Sequence, residues 1–225
     1  MKLMLKILVL CDTSPESGLG HFTRTNSLVN ELKKIGFSVT WFFSKRTPSY
    51  ILKIINSKIE KIIFFNELSE DFAKAFEENS DFLLIDSYQV TGKTRRGLSK
   101  NKRFKKIISI QDQGPYQFAD IFINHNYSKQ KSEVTYLNAN SLLFSGSNYL
   151  MLDYKRFKRI EKYDCGDIEK VLISFGATSQ AELILKTLDV LQKLELKLTV
   201  HVYCNREDYD ILKILKSPKN QNFKV

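Results

Sequence analysis

The stretch Cys11–Leu28, CDTSPESGLGHFTRTNSL, joins an apolar run to an amphipathic pattern, and its reading decides the fold. The run before it, KILVLC, is short and continuously apolar after Lys6, as in a strand buried on both faces. The pattern inside and beyond it, HFTRTNSLVNELKKIG, spaces Phe22, Leu28, Val29, Leu32 and Ile35 at near-helical intervals and stops at Gly36. A strand that turns through glycines directly into a helix opens a βαβ unit. Gly18 and Gly20 permit backbone angles and close approaches denied to other residues. His21 falls in the first helical turn, where unpaired N–H groups and the helix dipole favour an anion. His21 and Arg24, three residues apart, share a helix face. An imidazole held towards a bound anion is a candidate general base. The strict dinucleotide spacing fails, because Thr23 stands at its third glycine. TGKT at Thr91–Thr94 fails as a phosphate loop, because Ser87 stands where its first glycine belongs.

The same alternation continues along the chain. FSVTWFF, KIIFF, DFLLIDS, KKIISI and ADIFIN read as strands, separated by helical patterns in PSYILKIINSK, over roughly Ser69–Asn79, and in the basic stretch that begins at Lys93. Alternation of this kind specifies an α/β fold whose parallel sheet is covered by helices on both faces. A polar, weakly patterned segment, Leu152–Ile168, reads as a linker, and the pattern then restarts. KVLISFG, LKLTVHVYC and NFKV are strands, with helices over AELILKTLDVLQKL and near Arg206–Leu215. The expectation is two Rossmann-like, doubly wound domains: residues 1–151, a linker over 152–168, and the start of a second domain over 169–225 that stops as a strand begins. Such a chain is the front part of a longer two-domain protein. A small subdomain packed on the first is the alternative.

Composition narrows the function. Three cysteines, Cys11, Cys165 and Cys204, lie far apart with no CxxC spacing, which suits neither a disulfide framework nor a zinc site and points to the cytosol. The net charge of +10 raises nucleic acid as a partner, but the lysines are diffuse. The densest basic run, Lys93–Lys106, lacks the interleaved aromatics that stack bases and reads as a solvated helix face. No nucleic acid is expected as a partner. The opening MKLMLKILVLC is a strand rather than a leader, since Lys6 interrupts its apolar run and Leu10 is bulky before Cys11. No window approaches the roughly 18 apolar residues of a membrane span, so no stable insertion is expected.

Ligands of open α/β sheets bind outside the carboxyl ends of the strands. Those ends carry Asp12 and the Gly18–Arg24 loop, Asp86 with Tyr88, Asp112, Asn124 to Asn126, and Gly176 with Thr178. His125 is a further candidate there, whereas His201 alternates within an apolar strand and reads as a satisfied structural residue. Asp86 and Asp112 read either as a glycosidase carboxylate pair or as caps on the turns after their strands. No His, Cys and Asp spacing suits a metal.

Taken in order, D-x₅-G-x-G-H-x-x-R from Asp12, LLIDSY, IxxxD before ADIFIN-x-N, GSNYxxL and VLISFGAT resemble the PseG-type UDP-sugar hydrolases of pseudaminic acid biosynthesis, in the MurG-like branch of the GT-B superfamily. The related spore-coat polysaccharide proteins share these motifs. The resemblance implies a GT-B-like fold with the active site between two Rossmann-like domains. It implies that His21 activates water against the anomeric carbon of a UDP-linked deoxy-amino sugar, releasing UDP with inversion, and that Tyr88 lies beside the sugar. Asp12, Gly18, Gly20, Arg24, Asp86, Asp112, Asn126, Tyr149, Gly176 and Thr178 form the implied substrate-binding set. No metal or cofactor is implied, the small-molecule partner is a UDP-sugar, and oligomeric state is open. A diphosphate leaves readily once its charge is bound, so one base and one anion site suffice for the chemistry. The chain departs from the family at Leu10 and Gln111, at Ala177 and Ser179, and at Asp153, where the family has arginine, aspartate, glycine, aspartate and arginine respectively. The alternatives are a GT-B glycosyltransferase using the same site and a degenerate, non-catalytic sugar-nucleotide-binding protein.

Overall fold

The computed structural model describes residues 4–55, 60–66, 80–90, 92–100, 103–112, 118–126, 140–153, 169–176, 178–194, 198–214 and 223–224. The chain divides into two compact units, Met1–Tyr154 and Lys155–Val225.

The first unit is built on a seven-stranded sheet, every neighbouring pair parallel. Its strands are β1 (Lys6–Cys11), β2 (Ser38–Ser44), β3 (Lys61–Phe65), β4 (Phe82–Asp86), β5 (Lys106–Ile110), β6 (Ile121–Asn124) and β7 (Leu142–Ser145). The order across the sheet is β3-β2-β1-β4-β5-β6-β7. Strand β1 is central because its side chains are apolar on both faces. Ile7, Val9 and Cys11 pack with Phe22 and Val29 of α1 (Gly20–Lys34), with Ile51 of α2 (Ser49–Ile54), and with Trp41 and Phe43 of β2. Leu8 and Leu10 point the other way, into a second cluster with Leu83, Ile85, Phe122 and Leu98 of α3 (Gly92–Lys100). Two cores on opposite faces of one parallel sheet are what a doubly wound domain requires. At the far end of α1, Lys33 (2.6 Å) and the Trp41 indole both donate to the buried Glu60 carboxylate. That arrangement pairs an otherwise costly buried charge and ties α1 and β2 to the start of β3.

Two findings in this unit differ from the sequence reading. Strand β7 is additional: LLFS is only four residues long and follows no clear pattern, so periodicity alone does not reveal it. The basic stretch is not wholly a solvated face, because Thr94 and Leu98 are buried and the Arg95 guanidinium turns inward. The helix expected over Ser69–Asn79 lies outside the described residues, as does most of the expected linker.

In the second unit, β8 (Lys170–Ser174), β9 (Thr199–Tyr203) and β10 (Phe223–Lys224) form a parallel sheet in the order β10-β9-β8. Helices α4 (Ala181–Gln192) and α5 (Arg206–Ile214) contribute Ile184, Leu188 and Leu212 to a core with Ile173, Leu198 and Val200. His201 is exposed, not the enclosed structural residue its strand position suggests. It alternates with the buried Val200, so it shares a face with the exposed Leu172 and Tyr203. No described helix is long and apolar enough to cross a membrane.

Candidate functional site at the carboxyl edge of the first sheet

The strand order reverses at β1 and β4, which lie side by side although β2 and β3 come between them in sequence. A crevice at that switch point is where open α/β sheets bind ligands. The turn after β1 is a short 3-10 segment, Pro15–Ser17, closed by Gly18 at φ 68° and ψ −165°. Those angles are essentially open only to glycine. Gly18 sets the chain up to enter α1 at Gly20, and His21 follows in the first turn without any side-chain cap at Leu19.

His21 turns its Nδ1 into the sheet, 2.6 Å from Oδ1 of Asp86 at the end of β4. A carboxylate accepts, so Nδ1 carries the proton and Nε2 is left as the nitrogen able to take another. The Arg24 Nη2 also passes 3.1 Å from His21 Nδ1, but both atoms are donors and both turn to the same carboxylate oxygen. Asp86 is fully buried and accepts four hydrogen bonds: from His21, from Arg24 Nε (2.7 Å) and Nη2 (2.6 Å), and from the Thr25 hydroxyl (2.7 Å). Burial is the largest influence on its carboxyl and would push it up. The hydrogen bonds and charge from Arg24 and His21 outweigh that and hold it below the usual carboxylate range. Asp86 therefore orients side chains of α1 rather than capping the turn after its own strand.

Arg24 reaches across to β5. Its Nη1 donates to both oxygens of Asp112, at 2.8 and 3.1 Å, so its guanidinium is engaged by two carboxylates and has charge fixed there. Asp112 also accepts the Tyr88 hydroxyl. That hydrogen bond is the main reason the Tyr88 phenol is raised above its ordinary range. For Asp112 itself, burial pushes up, but the Tyr88 hydroxyl and the Arg24 charge bring the carboxyl below the usual range. The Tyr88 ring stands edge-on to His21, with centroids 4.5 Å apart, and is largely exposed. Asp12 holds the start of the Tyr88 turn: it accepts from the Ser87 hydroxyl (2.6 Å) and from the Tyr88 backbone N–H (2.8 Å). On the β6 side, the Asn124 and Asn126 amides donate to the Asp112 backbone carbonyl at 3.3 and 3.4 Å, and the Asn124 side-chain Oδ1 accepts from the Asn126 backbone N–H.

Seven of the expected residues, Asp12, Gly18, His21, Arg24, Asp86, Tyr88 and Asp112, thus belong to one connected edge, with Asn126 at its rim. Gly20 is helical, and a Cβ there would meet no protein atom within 4 Å, so the protein's own packing does not require a glycine. Tyr149 sits in the turn after β7 against the Phe144 ring, 5.3 Å away, and makes no described hydrogen bond to the His21 cluster. Asp86 and Asp112 do not stand as an independent carboxylate pair, since one arginine binds both. Sequence reading missed Thr25 and Arg95. Arg95 donates to the Ser109 hydroxyl (2.5 Å) and the carbonyls of Val90 (3.0 Å) and Ser87 (3.4 Å), beneath the aspartates. Burial lowers its guanidinium, while the charges of Asp86 and Asp12 act the other way. The signal available for Arg95 was helical phase: it lies between the inward Thr94 and Leu98.

In the second unit, Gly176 takes φ 91°, a left-handed angle that favours glycine, just beyond β8. Asp208 of α5 is buried and accepts from the Ser179 hydroxyl (2.6 Å) and the Gln180 N–H (2.8 Å). The loop therefore receives a carboxylate from α5, where the resembled family has an aspartate at position 179. Thr178 accepts from the Gln180 amide at 3.4 Å. Among the described residues, no group of three or more His, Cys, Asp or Glu side chains is placed to hold a metal ion.

The fold defines the class. The structure of UGT89C1 from Arabidopsis thaliana in complex with UDP-L-rhamnose is similar at a TM-score of 0.56 and 11% identity, covering 98% of this chain and 69% of that one. Its complex with quercetin gives 0.52 at 14% identity, covering 88% and 64%. The chain is α/β and GT-B-like. In sequence it is 26% identical over 208 residues to the uncharacterised protein MJ1062 of Methanocaldococcus jannaschii, which covers 88% of this chain and 42% of that protein. The chain therefore spans less than half the length of that relative. No family model matches it.

Proposed function

We propose that this chain acts on a sugar nucleotide with His21 as general base, and that the reaction is hydrolysis of a UDP-linked deoxy-amino sugar at its anomeric C–O bond. The observation that carries the reading is the 2.6 Å bond from His21 Nδ1 to the buried Asp86, which fixes the tautomer and leaves Nε2 to accept a proton. Water's O–H proton passes to Nε2 as its oxygen bonds to the anomeric carbon. The C–O bond to the diphosphate breaks, and its electron pair leaves on the UDP oxygen. Asp86 stabilises the imidazolium so formed without taking its proton. Asp112, Tyr88 and Asn126 offer hydrogen bonds suited to the sugar, and Gly176 and Thr178 belong to the substrate-binding set that the motif resemblance implies. Arg24 has a different part from the one its spacing suggested: held by Asp86 and Asp112, it positions the base. The likeness to a protein crystallised with UDP-L-rhamnose and with UDP supports a nucleotide-sugar ligand.

A glycosyltransferase is the second reading, favoured by the quercetin complex of that same neighbour. The base would then take its proton from an acceptor hydroxyl. Incubating the protein with a UDP-sugar and no acceptor separates the two, since free sugar together with UDP marks hydrolysis. Under either reading His21→Ala lowers turnover about 10²- to 10⁴-fold. Unchanged UDP release from that variant would rule out His21 as the base.

A further inference from the structure

The carboxyl edge holds a second histidine that the proposed chemistry does not use. His125 follows β6, and its Nδ1 is buried, has no hydrogen-bond partner among the described residues, and lies 3.8 Å from Oδ1 of Asp112. A buried polar atom without a partner is uncommon in folded proteins and costly to leave so. The geometry repeats that of the base: an imidazole after one strand presents Nδ1 to an aspartate at the end of the neighbouring strand, as His21 does to Asp86. The two aspartates are bridged by Arg24. The difference is that the first pair is closed at 2.6 Å and the second is open. The reason lies in what Asp112 already accepts, namely two hydrogen bonds from Arg24 and one from Tyr88.

We propose that His125 and Asp112 form a second imidazole–carboxylate pair, and that His125 contacts the ligand by donating from Nε2 to one of its oxyanions. This rests on the sugar-nucleotide reading, under which the oxyanion is a phosphoryl oxygen. Charge supports it. Arg24 and Arg95, the guanidinium groups nearest Asp12, Asp86 and Asp112, both spend their N–H groups inside the protein. An N–H at His125 Nε2 gives this edge a further donor for an anion. Among the described residues, the charged group facing His125 is Asp112, just beyond β5; Asp112 in turn meets Arg24 of α1 and Tyr88, beyond β4, and Arg24 meets Asp86 and lies beside His21.

Two measurements on the whole chain test the pair and the contact separately. Unfolding stabilities of His125→Gln, Asp112→Asn and the double variant, followed at Trp41, are expected to be non-additive; additive losses would overturn the pair. Calorimetric titration with UDP is expected to show affinity in His125→Gln about tenfold weaker than in the wild type. His201→Gln, at an exposed histidine of the second unit, serves as the control and should keep the wild-type affinity. Equal affinities of wild type and His125→Gln would overturn the contact. Absence of UDP binding by the wild type would overturn the contact and count against the nucleotide reading, while the stability cycle still decides the pair.

Discussion

Arg24 carries the sharpest distinction between positioning and binding. Its guanidinium meets Asp86 through Nε and Nη2 and Asp112 through Nη1, so it is a planar fork matched to two carboxylates at once. A lysine at this position is a single point charge and cannot reproduce that geometry. Arg24→Lys is therefore expected to lower kcat by roughly tenfold or more, through a misplaced His21, while KM changes little. A large rise in KM with kcat intact would mean that Arg24 binds substrate directly. The same carboxylates set a response to acid. Asp86 and Asp112 are held below the ordinary range in the folded protein, so each contributes stability that is fully present above the unfolded carboxylate pKa of about 4. That stability is lost as pH falls through their lower folded values. The denaturation midpoint, followed at the single, buried Trp41, should fall between pH 5 and pH 2, and by less in Asp86→Asn. An equal fall in both proteins would show that Asp86 is not a source of the acid sensitivity. Which histidine faced a carboxylate was not legible in the sequence. His21 and Asp86 are 65 residues apart, and only the adjacency of β1 and β4 brings them within 2.6 Å.

The turn into α1 shows how one element can hold two glycines for different reasons. Gly18 has φ 68° and ψ −165°, so a side chain there is strained by the backbone itself. Gly18→Ala is expected to destabilise the protein by about 1–2 kcal/mol in urea unfolding. Gly20 is the first residue of α1 and faces open space. Gly20→Ala is expected to leave stability unchanged or raise it by up to about 1 kcal/mol, because alanine is the better helix former. Its effect should fall on ligand binding if the ligand approaches the helix start. A clear loss of stability in Gly20→Ala would assign that glycine to the fold instead. The sequence marked both positions equally, since the pattern contains no backbone angles and no record of the space beside each residue. It was more informative about the strands. KILVLC and DFLLID are apolar enough to read as central strands, whereas LLFS at β7 and the inward Arg95 of α3 depend on neighbours distant in sequence.

Over the whole molecule, each unit has a core of its own. Among the described residues, Ile184 and Leu188 lie in the second unit's cluster of buried residues, and Trp41 lies in a cluster of the first. Ile184→Ala is expected to cost about 2–5 kcal/mol locally. It should lower the unfolding midpoint read by helical circular dichroism while leaving the Trp41 fluorescence transition in place. Coincident shifts in both signals would show that the units unfold as one. The sequence by itself determined the α/β class, the parallel sheets and the strand that begins at Lys170, because these follow from local periodicity and from apolar runs that must be covered on both faces. It also set out the polar residues at the strand ends. Only the tertiary structure decided their neighbours: Asp86 as the partner of His21, Arg24 as the bridge to Asp112, and His125 at 3.8 Å from Asp112. The physical reason is that strand order, not sequence distance, sets which strand ends are neighbours. A carboxylate's role is then fixed by the donors that the neighbouring strands and helices deliver to it.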